Sequence, residues 1–414
     1  MTDRQPARLR QCVILVGGMG TRLGALTATM PKPVLPCGDR PFLAWLLREL
    51  QRYGFEEALL LTGHLPDTLR AEVETLARHL PRPMRIVFSL EPIRAGTGGA
   101  LFHARHLLDE RFLLCNGDSL LDCNLAHLLA AASADGPDVT GRIVLRHLND
   151  VSRYGVVTTE GDVVTGFHEK TQGATARPGD INGGIYVFHR RVVDHLRETC
   201  SLEQDIMPAL AAAGQLRAQR ETGYFIDIGI PADLARAQAE LPALLHRRAL
   251  FLDRDGVINI DHGHVGTRDR FDFTETALAA IAFATDAGWH VFVVTNQSGV
   301  SRGFYTEEAV VELLAWLANE ALLAGGTIDD ARYCPTHPEA LLATYRRESD
   351  WRKPQPGMLR DLIRAWELDP AACILVGDQP TDLAAAAAAG VPGHLFKGGD
   401  LLAFIRPLLN APPG

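Results

Sequence analysis

The chain has 414 residues, enough for two domains or three at about 100–200 residues each. Hydrophobic residues at 47% and charged residues at 22% exclude disorder, collagen-like repeats and a small disulfide scaffold. A net charge of -9 with no long basic block argues against a nucleic-acid partner, and no apolar run approaches the ~20 residues of a bilayer span.

The first 18 residues carry charge but only a short apolar run before glycines begin, a poor secretory signal. Seven scattered cysteines read as reduced thiols, so the expected location is cytoplasmic, without membrane contact. Apolar runs predict strands at 12–16, 58–62, 85–90, 111–115, 142–146, 154–158 and 184–188, then at 249–253, 290–295 and 373–377. Helix-like segments alternate with them, which implies an α/β protein with βαβ units and mainly parallel sheets. Pro231–His246 reads as a helix and the boundary falls near 241–248, giving domains 9–243 and 248–414. The Ala384–Ala389 run reads as a helix ended by Gly390 and Pro392.

Directly after the first strand comes Gly17-Gly18-Met19-Gly20-Thr21-Arg22. Glycines admit a ligand close to the backbone, and clustered N–H groups make an anion nest; alone, the segment reads equally as a tight turn. It is followed by Pro31-Lys32-Pro33, Asn116-Gly117-Asp118, Glu169-Lys170, Asn182-Gly183-Gly184 and Phe225-Ile226-Asp227. Asp118 falls at the C-terminal end of a strand, where α/β proteins bind ligands.

This series resembles the sugar-1-phosphate nucleotidyltransferases, closest to the heptose-1-phosphate guanylyltransferases, with mannose-1-phosphate guanylyltransferases behind. The resemblance implies a Rossmann-like mixed sheet and attack of a sugar phosphate on the α-phosphorus of a nucleoside triphosphate. It assigns Gly17, Gly18, Gly20, Thr21 and Gly98 to nucleotide binding, and Arg22 and Lys32 to the phosphates. It gives Lys170 to the sugar phosphate, Glu169, Asn182 and Gly183 to the sugar, and Asp118 and Asp227 to Mg²⁺. Glu91 lies in the region that faces the base. A carboxylate can accept from both donors on guanine, which favours GTP over another NTP; a structural glutamate is the other reading.

In the second half, Asp253 and Asp255 follow a strand, and residues two apart on a strand share a side. Thr295-Asn296-Gln297-Ser298-Gly299, Arg352-Lys353-Pro354 and Gly377-Asp378 come later. This order resembles a capless, Rossmannoid phosphatase of the haloacid dehalogenase superfamily, in its heptose-bisphosphate and histidinol-phosphate group. The resemblance makes Asp253 the nucleophile and Asp255 the acid and base. Thr295 and Lys353 would hold phosphoryl oxygens, Asn296, Arg302 and Arg352 would contact substrate, and Asp253, Asp255 through its carbonyl, and Asp378 would bind Mg²⁺. Asp382 is expected to support Lys353 or cap a helix. Many members carry a structural zinc; here Cys334 alone stands at a ligand position and His337 is one residue out of place, so zinc is not expected.

Together the halves imply a bifunctional enzyme. Heptose 1,7-bisphosphate loses its 7-phosphate, and heptose 1-phosphate then receives a nucleotidyl group. The alternatives are a mannose-1-phosphate-type guanylyltransferase fused to a phosphatase for another sugar phosphate or histidinol phosphate, and a nucleotide-sugar sensor that regulates the phosphatase. A homo-oligomer is compatible with the sequence.

Overall fold

The structure is a computed structural model that describes residues 9–152, 154–168 and 176–411. The chain divides into two units, Met1–Leu245 and His246–Gly414.

In the first unit the strands are β1 (Gln11–Leu15), β2 (Pro36–Cys37), β3 (Arg40–Pro41), β4 (Glu57–Thr62), β5 (Arg85–Leu90), β6 (Arg111–Asn116), β7 (Ser119–Leu121), β8 (Gly141–Leu148), β9 (Val156–Glu160), β10 (Val163–His168), β11 (Gly179–His189), β12 (Leu216–Glu221) and β13 (Phe225–Asp227). Nine form one sheet in the order β5-β4-β1-β6-β11-β8-β12-β10-β9. β5, β4, β1 and β6 run parallel; β11 is antiparallel to both its neighbours, β6 and β8. The sheet is therefore mixed: the expected parallel pairing holds among its first four strands and again between β8 and β12, while β11, β10 and β9 pair antiparallel. β7 and β13 make a separate antiparallel pair. The predicted strand at 154–158 begins two residues later, and that at 184–188 extends back to Gly179. The helix Pro231–Leu245 buries Leu234, Ala237, Leu241 and Leu245, one stripe at helical spacing.

The second unit holds β14 (Ala249–Leu252), β15 (His290–Asn296), β16 (Asp330–Cys334), β17 (Cys373–Gly377) and β18 (Gly393–Leu395). They form an all-parallel sheet in the order β16-β15-β14-β17-β18. A parallel sheet is covered on both faces, so its strands are apolar throughout. β14 shows this: Leu250 and Leu252 enter one core, Ala249 and Phe251 the other. The same alternation divides Val291 and Val293 from Phe292 and Val294 on β15. Only loop and one 3-10 turn separate β14 from the helix Ala277–Asp286, so no cap module is inserted there. The alanine-rich helix spans Pro380–Ala389 and stops at Gly390, whose φ of 77° is left-handed.

Candidate active sites in the two domains

In the first domain the glycine turn follows β1. Gly20 holds a φ of 61°, and a Cβ there would meet Thr27 Cγ2 at 2.8 Å, so the position requires glycine. A Cβ on Gly18 would meet nothing within 4 Å, which leaves its backbone open to a ligand. Thr21 and Arg22 are exposed. Gly17, Gly18, Glu91, Arg94, Asn116 and Asp118 line a cavity of about 300 Å³. Glu91 is half-buried there, and its Oε2 accepts from the Ala95 N–H at 3.2 Å.

The β7–β13 pairing sets Asp227 opposite Ser119, and the Ile228 N–H donates to the Asp118 carbonyl at 3.0 Å. Two carboxylates more than a hundred residues apart thus flank one point. Lys32 stands at it, with Nζ 2.7 Å from Asp118 Oδ2 and 3.3 Å from Asp227 Oδ1. The sequence reading sends Lys32 to a phosphate. The structure instead turns its ammonium to the two carboxylates, because its side chain is buried and a buried charge must be paired. The site still fits a divalent cation: both carboxylates are partly exposed, and one lysine leaves the cluster negative.

Three other assignments change character. Gly98 is buried, its N–H donates to the Cys200 carbonyl at 3.0 Å, and a Cβ would strike Cys200 Sγ at 2.6 Å. Its glycine serves close packing, and its N–H is not offered to a ligand. Gly183 is likewise buried, 3.0 Å at a built Cβ from both Leu121 Cδ2 and the Val144 carbonyl. Asn182 spends its side chain locally: Oδ1 accepts from the Gly184 N–H at 3.0 Å and Nδ2 donates to Tyr186 Oη at 2.8 Å. It nevertheless lines a second cavity, of about 400 Å³, with Tyr154, Phe167, His168 and Glu203. Glu169 and Lys170 lie outside the described residues. Glu203 escapes sequence reasoning because its partner, Thr97, is 106 residues away.

In the second domain, β15, β14 and β17 are neighbours, so Thr295 and Asn296, Asp253, and Asp378 converge at their C-terminal ends. Lys353 Nζ lies 2.8 Å from Asp253 Oδ1, 2.6 Å from Asp382 Oδ1 and 2.8 Å from the Val294 carbonyl, which satisfies its three donors. Burial pushes the Asp253 carboxyl up, Lys353 pulls it down, and Asp382 and Asp255 push it up again. Asp382 carries both expected duties, since its Oδ2 also accepts from the Gln379 N–H at the head of the next helix.

Asp255 is held by three residues. Arg254 reaches both its oxygens at 2.9 Å, Asn259 Nδ2 reaches Oδ1 at 3.0 Å, and Gln297 Nε2 reaches Oδ2 at 2.9 Å. Gln297 also donates to Thr295 Oγ1 at 2.8 Å and accepts from Tyr305 Oη at 2.8 Å. None of Arg254, Asn259, Gln297 and Tyr305 is singled out by the sequence, because each enters the site only through hydrogen bonds to Asp255, Thr295 or one another. Asn296 departs from its expected substrate contact. Its amide pairs with the backbone of Lys353, accepting from the N–H and donating to the carbonyl, each at 3.1 Å. An amide matches a peptide unit in this way, so Asn296 positions the lysine.

The phosphatase site fits a metal ion. Asp253, Asp378 and Asp382 offer oxygens within 4.8 Å of one another, the one such cluster among the described residues. Asp378 Oδ1 is buried with no hydrogen-bond partner, and Lys353 alone does not balance three carboxylates. Gly256, with φ 83°, lets Asp378 in: a Cβ there would lie 2.4 Å from Asp378 Oδ2. Arg302 is exposed and Arg352 half-buried; burial lowers the Arg352 value, and Arg302 lowers it further. Cys334 Sγ packs 3.2 Å from Thr336 Oγ1, and His337 Nδ1 accepts from the Glu339 N–H at 3.0 Å.

Among the described residues no helix is long and apolar enough to cross a membrane. Residues 11–243 match the nucleotidyl transferase family model, and residues 350–402 the HAD-hydrolase-like model. A D-glycero-beta-D-manno-heptose-1,7-bisphosphate 7-phosphatase of Rhodopseudomonas palustris is 45% identical over 163 residues, 39% of this chain and 91% of that protein. A D-glycero-alpha-D-manno-heptose 1-phosphate guanylyltransferase of Aneurinibacillus thermoaerophilus is 32% identical over 234 residues, 56% of this chain and 98% of that protein. A mannose-1-phosphate guanylyltransferase of Mycobacterium tuberculosis is 36% identical over 258 residues, 59% of this chain and 70% of that protein. The chain belongs to the nucleotidyl transferase family over most of its first domain and to the HAD-like hydrolases in its second.

Proposed function

We propose that this protein is a bifunctional enzyme of nucleotide-activated heptose synthesis. It removes the 7-phosphate of D-glycero-D-manno-heptose 1,7-bisphosphate and transfers a guanylyl group from GTP to the heptose 1-phosphate that remains. The observation that carries this reading is the pairing of relatives in one chain: the phosphatase relative is named for releasing the 7-phosphate, and the transferase relative for using the 1-phosphate. Because the second reaction consumes what the first leaves, both must accept one anomer; the guanylyltransferase relative is named for α and the phosphatase relative for β, and we take α from the transferase, whose product is the activated sugar.

In the phosphatase, Asp253 attacks the 7-phosphorus and forms an aspartyl phosphate while the bond to the sugar oxygen breaks. Asp255 gives that oxygen its proton, then takes one from the water that hydrolyses the aspartyl phosphate. Thr295 holds a phosphoryl oxygen, Lys353, tied to Asp253 and Asp382, supplies positive charge beside it, and Arg302 and Arg352 meet the remote 1-phosphate. Asp253, Asp378 and the Asp255 carbonyl would hold Mg²⁺, which when bound supplies positive charge against the phosphate. Zinc has no part in this reading.

In the transferase, the sugar phosphate is the nucleophile, so the protein's task is to bring two anions together. Gly17, Gly18, Gly20 and Thr21 receive the triphosphate and Arg22 its leaving end. Asp118 and Asp227 would hold Mg²⁺, and Lys32 fixes both. Glu91 reads guanine, while Lys170, Glu169 and Asn182 take the sugar phosphate. The test is an end-point assay with Mg²⁺, each NTP and synthetic α- or β-heptose 1,7-bisphosphate, products read by mass. GDP-heptose from the α anomer is the expected outcome; phosphate release without pyrophosphate release would leave a phosphatase with a sensing domain. The mycobacterial relative supports a second reading, a mannose-1-phosphate guanylyltransferase, which turnover of mannose 1-phosphate in preference to heptose 1-phosphate would favour.

A further inference from the structure

Two cavities of the first domain share one wall residue. One, of about 300 Å³, is bounded by the glycine turn, Glu91 and Asp118; the other, of about 400 Å³, by Asn182, Tyr154, Phe167 and His168. Glu203 is the one described residue that lines both. It sits on a single π-helical turn, Leu202–Ile206, in which Leu202 and Ile206 are buried and Glu203 is half-buried.

The side chain is held at one oxygen. Thr97 Oγ1 donates to Oε2 at 2.7 Å and Ser201 Oγ at 3.0 Å. Each hydroxyl is fixed in turn, Thr97 by accepting from the Leu202 N–H at 2.9 Å and Ser201 by accepting from the Gln204 N–H at 3.2 Å. Oε1 has no partner among the described residues. Nearby, burial and then the Glu203 charge push the Tyr186 phenol well up, so it stays a neutral hydroxyl bonded to Asn182.

We propose that Glu203 is a specificity residue of the transferase, accepting at Oε1 a hydrogen bond from the hydroxyl on the sugar carbon next to the phosphate-bearing one. This rests on the transferase reading above. A carboxylate only accepts hydrogen bonds, and beside transferring phosphates it would repel them. Its partner must therefore be a hydroxyl. At the junction of a nucleotide cavity and a sugar cavity lies the carbon whose phosphate oxygen attacks. One neighbour of that carbon is the ring oxygen, which has no proton to give; the other is C2, which bears a hydroxyl. The ribose hydroxyls of the nucleotide offer the same chemistry from the other cavity, and the test separates the two.

Pyrophosphate release is measured for the wild type, Glu203→Gln and Glu203→Asp, with GTP and either heptose 1-phosphate or its 2-deoxy analogue, and again with 2′-deoxy-GTP and 3′-deoxy-GTP. A site built around a polar group rejects an analogue that lacks it, so the wild type should lose at least ~10-fold in kcat/KM on the 2-deoxy sugar. Glu203→Gln keeps the shape without the charge, and Glu203→Asp keeps the charge but withdraws the oxygen. Both should lose about as much on the natural sugar, shrink the 2-deoxy penalty to ~3-fold or less, and leave the KM for GTP unchanged. An undiminished penalty in both variants overturns the inference. A penalty that instead follows the deoxynucleotides would assign Glu203 to ribose and overturn it equally. No pyrophosphate release by the wild type with any sugar phosphate would sink the transferase reading itself, a distinguishable failure.

Discussion

Each domain places one buried lysine between two aspartates, and the pairs differ in what surrounds them. Lys353 meets Asp253 and Asp382, whose side chains are 11% and 1% exposed, and the Val294 carbonyl takes its remaining donor. Lys32 meets Asp118 and Asp227, 38% and 30% exposed, at 2.7 and 3.3 Å. The first cation is locked in a closed frame; the second faces carboxylates that solvent and ligands can reach. The proposed chemistry accounts for the difference. A phosphatase that supplies its own nucleophile must hold that group in attack geometry beforehand. A transferase whose nucleophile arrives with the substrate needs charge that can be rearranged around two incoming anions.

The sharpest way to break this comparison is to remove one carboxylate from each frame. Asp253→Asn keeps the shape without the nucleophile, so release of phosphate should fall by about three orders of magnitude or more. Transfer to supplied heptose 1-phosphate should persist, because the two sites are built in separate domains and sites without shared partners behave independently. Asp118→Asn should do the reverse and, given bisphosphate and GTP, accumulate heptose 1-phosphate. Loss of both activities in a folded Asp253→Asn protein would show coupled sites and favour a regulated module. Chelation of Mg²⁺ should silence both domains and its return restore both; a domain indifferent to chelation would exclude its proposed metal site.

The two lysines should also differ in their contribution to stability. Removing one partner of a buried ion pair leaves uncompensated charge and costs about 3–5 kcal/mol, the expected loss for Lys353→Met. Lys32→Met should cost about 1 kcal/mol, because water reaches its partners. Hydrogen exchange resolves each domain: amides of β14 and β17 should open far more readily in the first variant, those of β6 only slightly in the second. Equal losses would refute the contrast between a closed and an open frame. Glu91→Gln should act more gently, lowering the preference for GTP over UTP without lowering overall turnover. Unchanged base selectivity would assign Glu91 to its bond with the Ala95 N–H alone.

The carboxylates proposed for the two sites are legible in the sequence because they follow apolar strands, as Asp118, Asp253 and Asp378 do. Strands buried on both faces, such as β14 and β15, were equally plain. What it concealed depends on pairing across long separations. β7 and β13 are three residues each and carry no periodic signal, yet their pairing is what brings Asp227 to Asp118. β12, Leu-Arg-Ala-Gln-Arg-Glu, is polar at its end and reads as surface, since only its buried Leu216 and Ala218 mark an inner face. Asn296 and Gly98 stood in the expected motifs, but their motif neighbours do not reveal that one clasps a backbone and the other packs on Cys200. Spacing identifies which residues can do chemistry; only contact distinguishes those that react from those that hold.

The smallest expected effect concerns the loop at 334–351. Trp351 packs against the core beneath β14, and Glu307 binds two tyrosines at once, accepting from Tyr333 Oη and from Tyr345 Oη at 2.9 Å each. Burial and Glu307 push the Tyr333 phenol up to about 12, and Glu307 and burial raise that of Tyr345, so both remain donors at neutral pH. The Tyr345 carbonyl accepts from the His337 N–H at 3.1 Å, and Arg352 donates to the Thr336 carbonyl at 3.3 Å, so the clasp leads to a residue proposed to meet the substrate. Tyr345→Phe deletes one hydrogen bond on a half-exposed ring, worth about 1 kcal/mol. The loop should become a few-fold more susceptible to protease, with a matching rise in KM for the bisphosphate and kcat unchanged, since Asp253 and Lys353 are held independently. Metal analysis of tag-free protein should find no stoichiometric zinc. Zinc retained through dialysis, with Tyr345→Phe indistinguishable from wild type, would mean that a metal rather than the Glu307 clasp orders this loop.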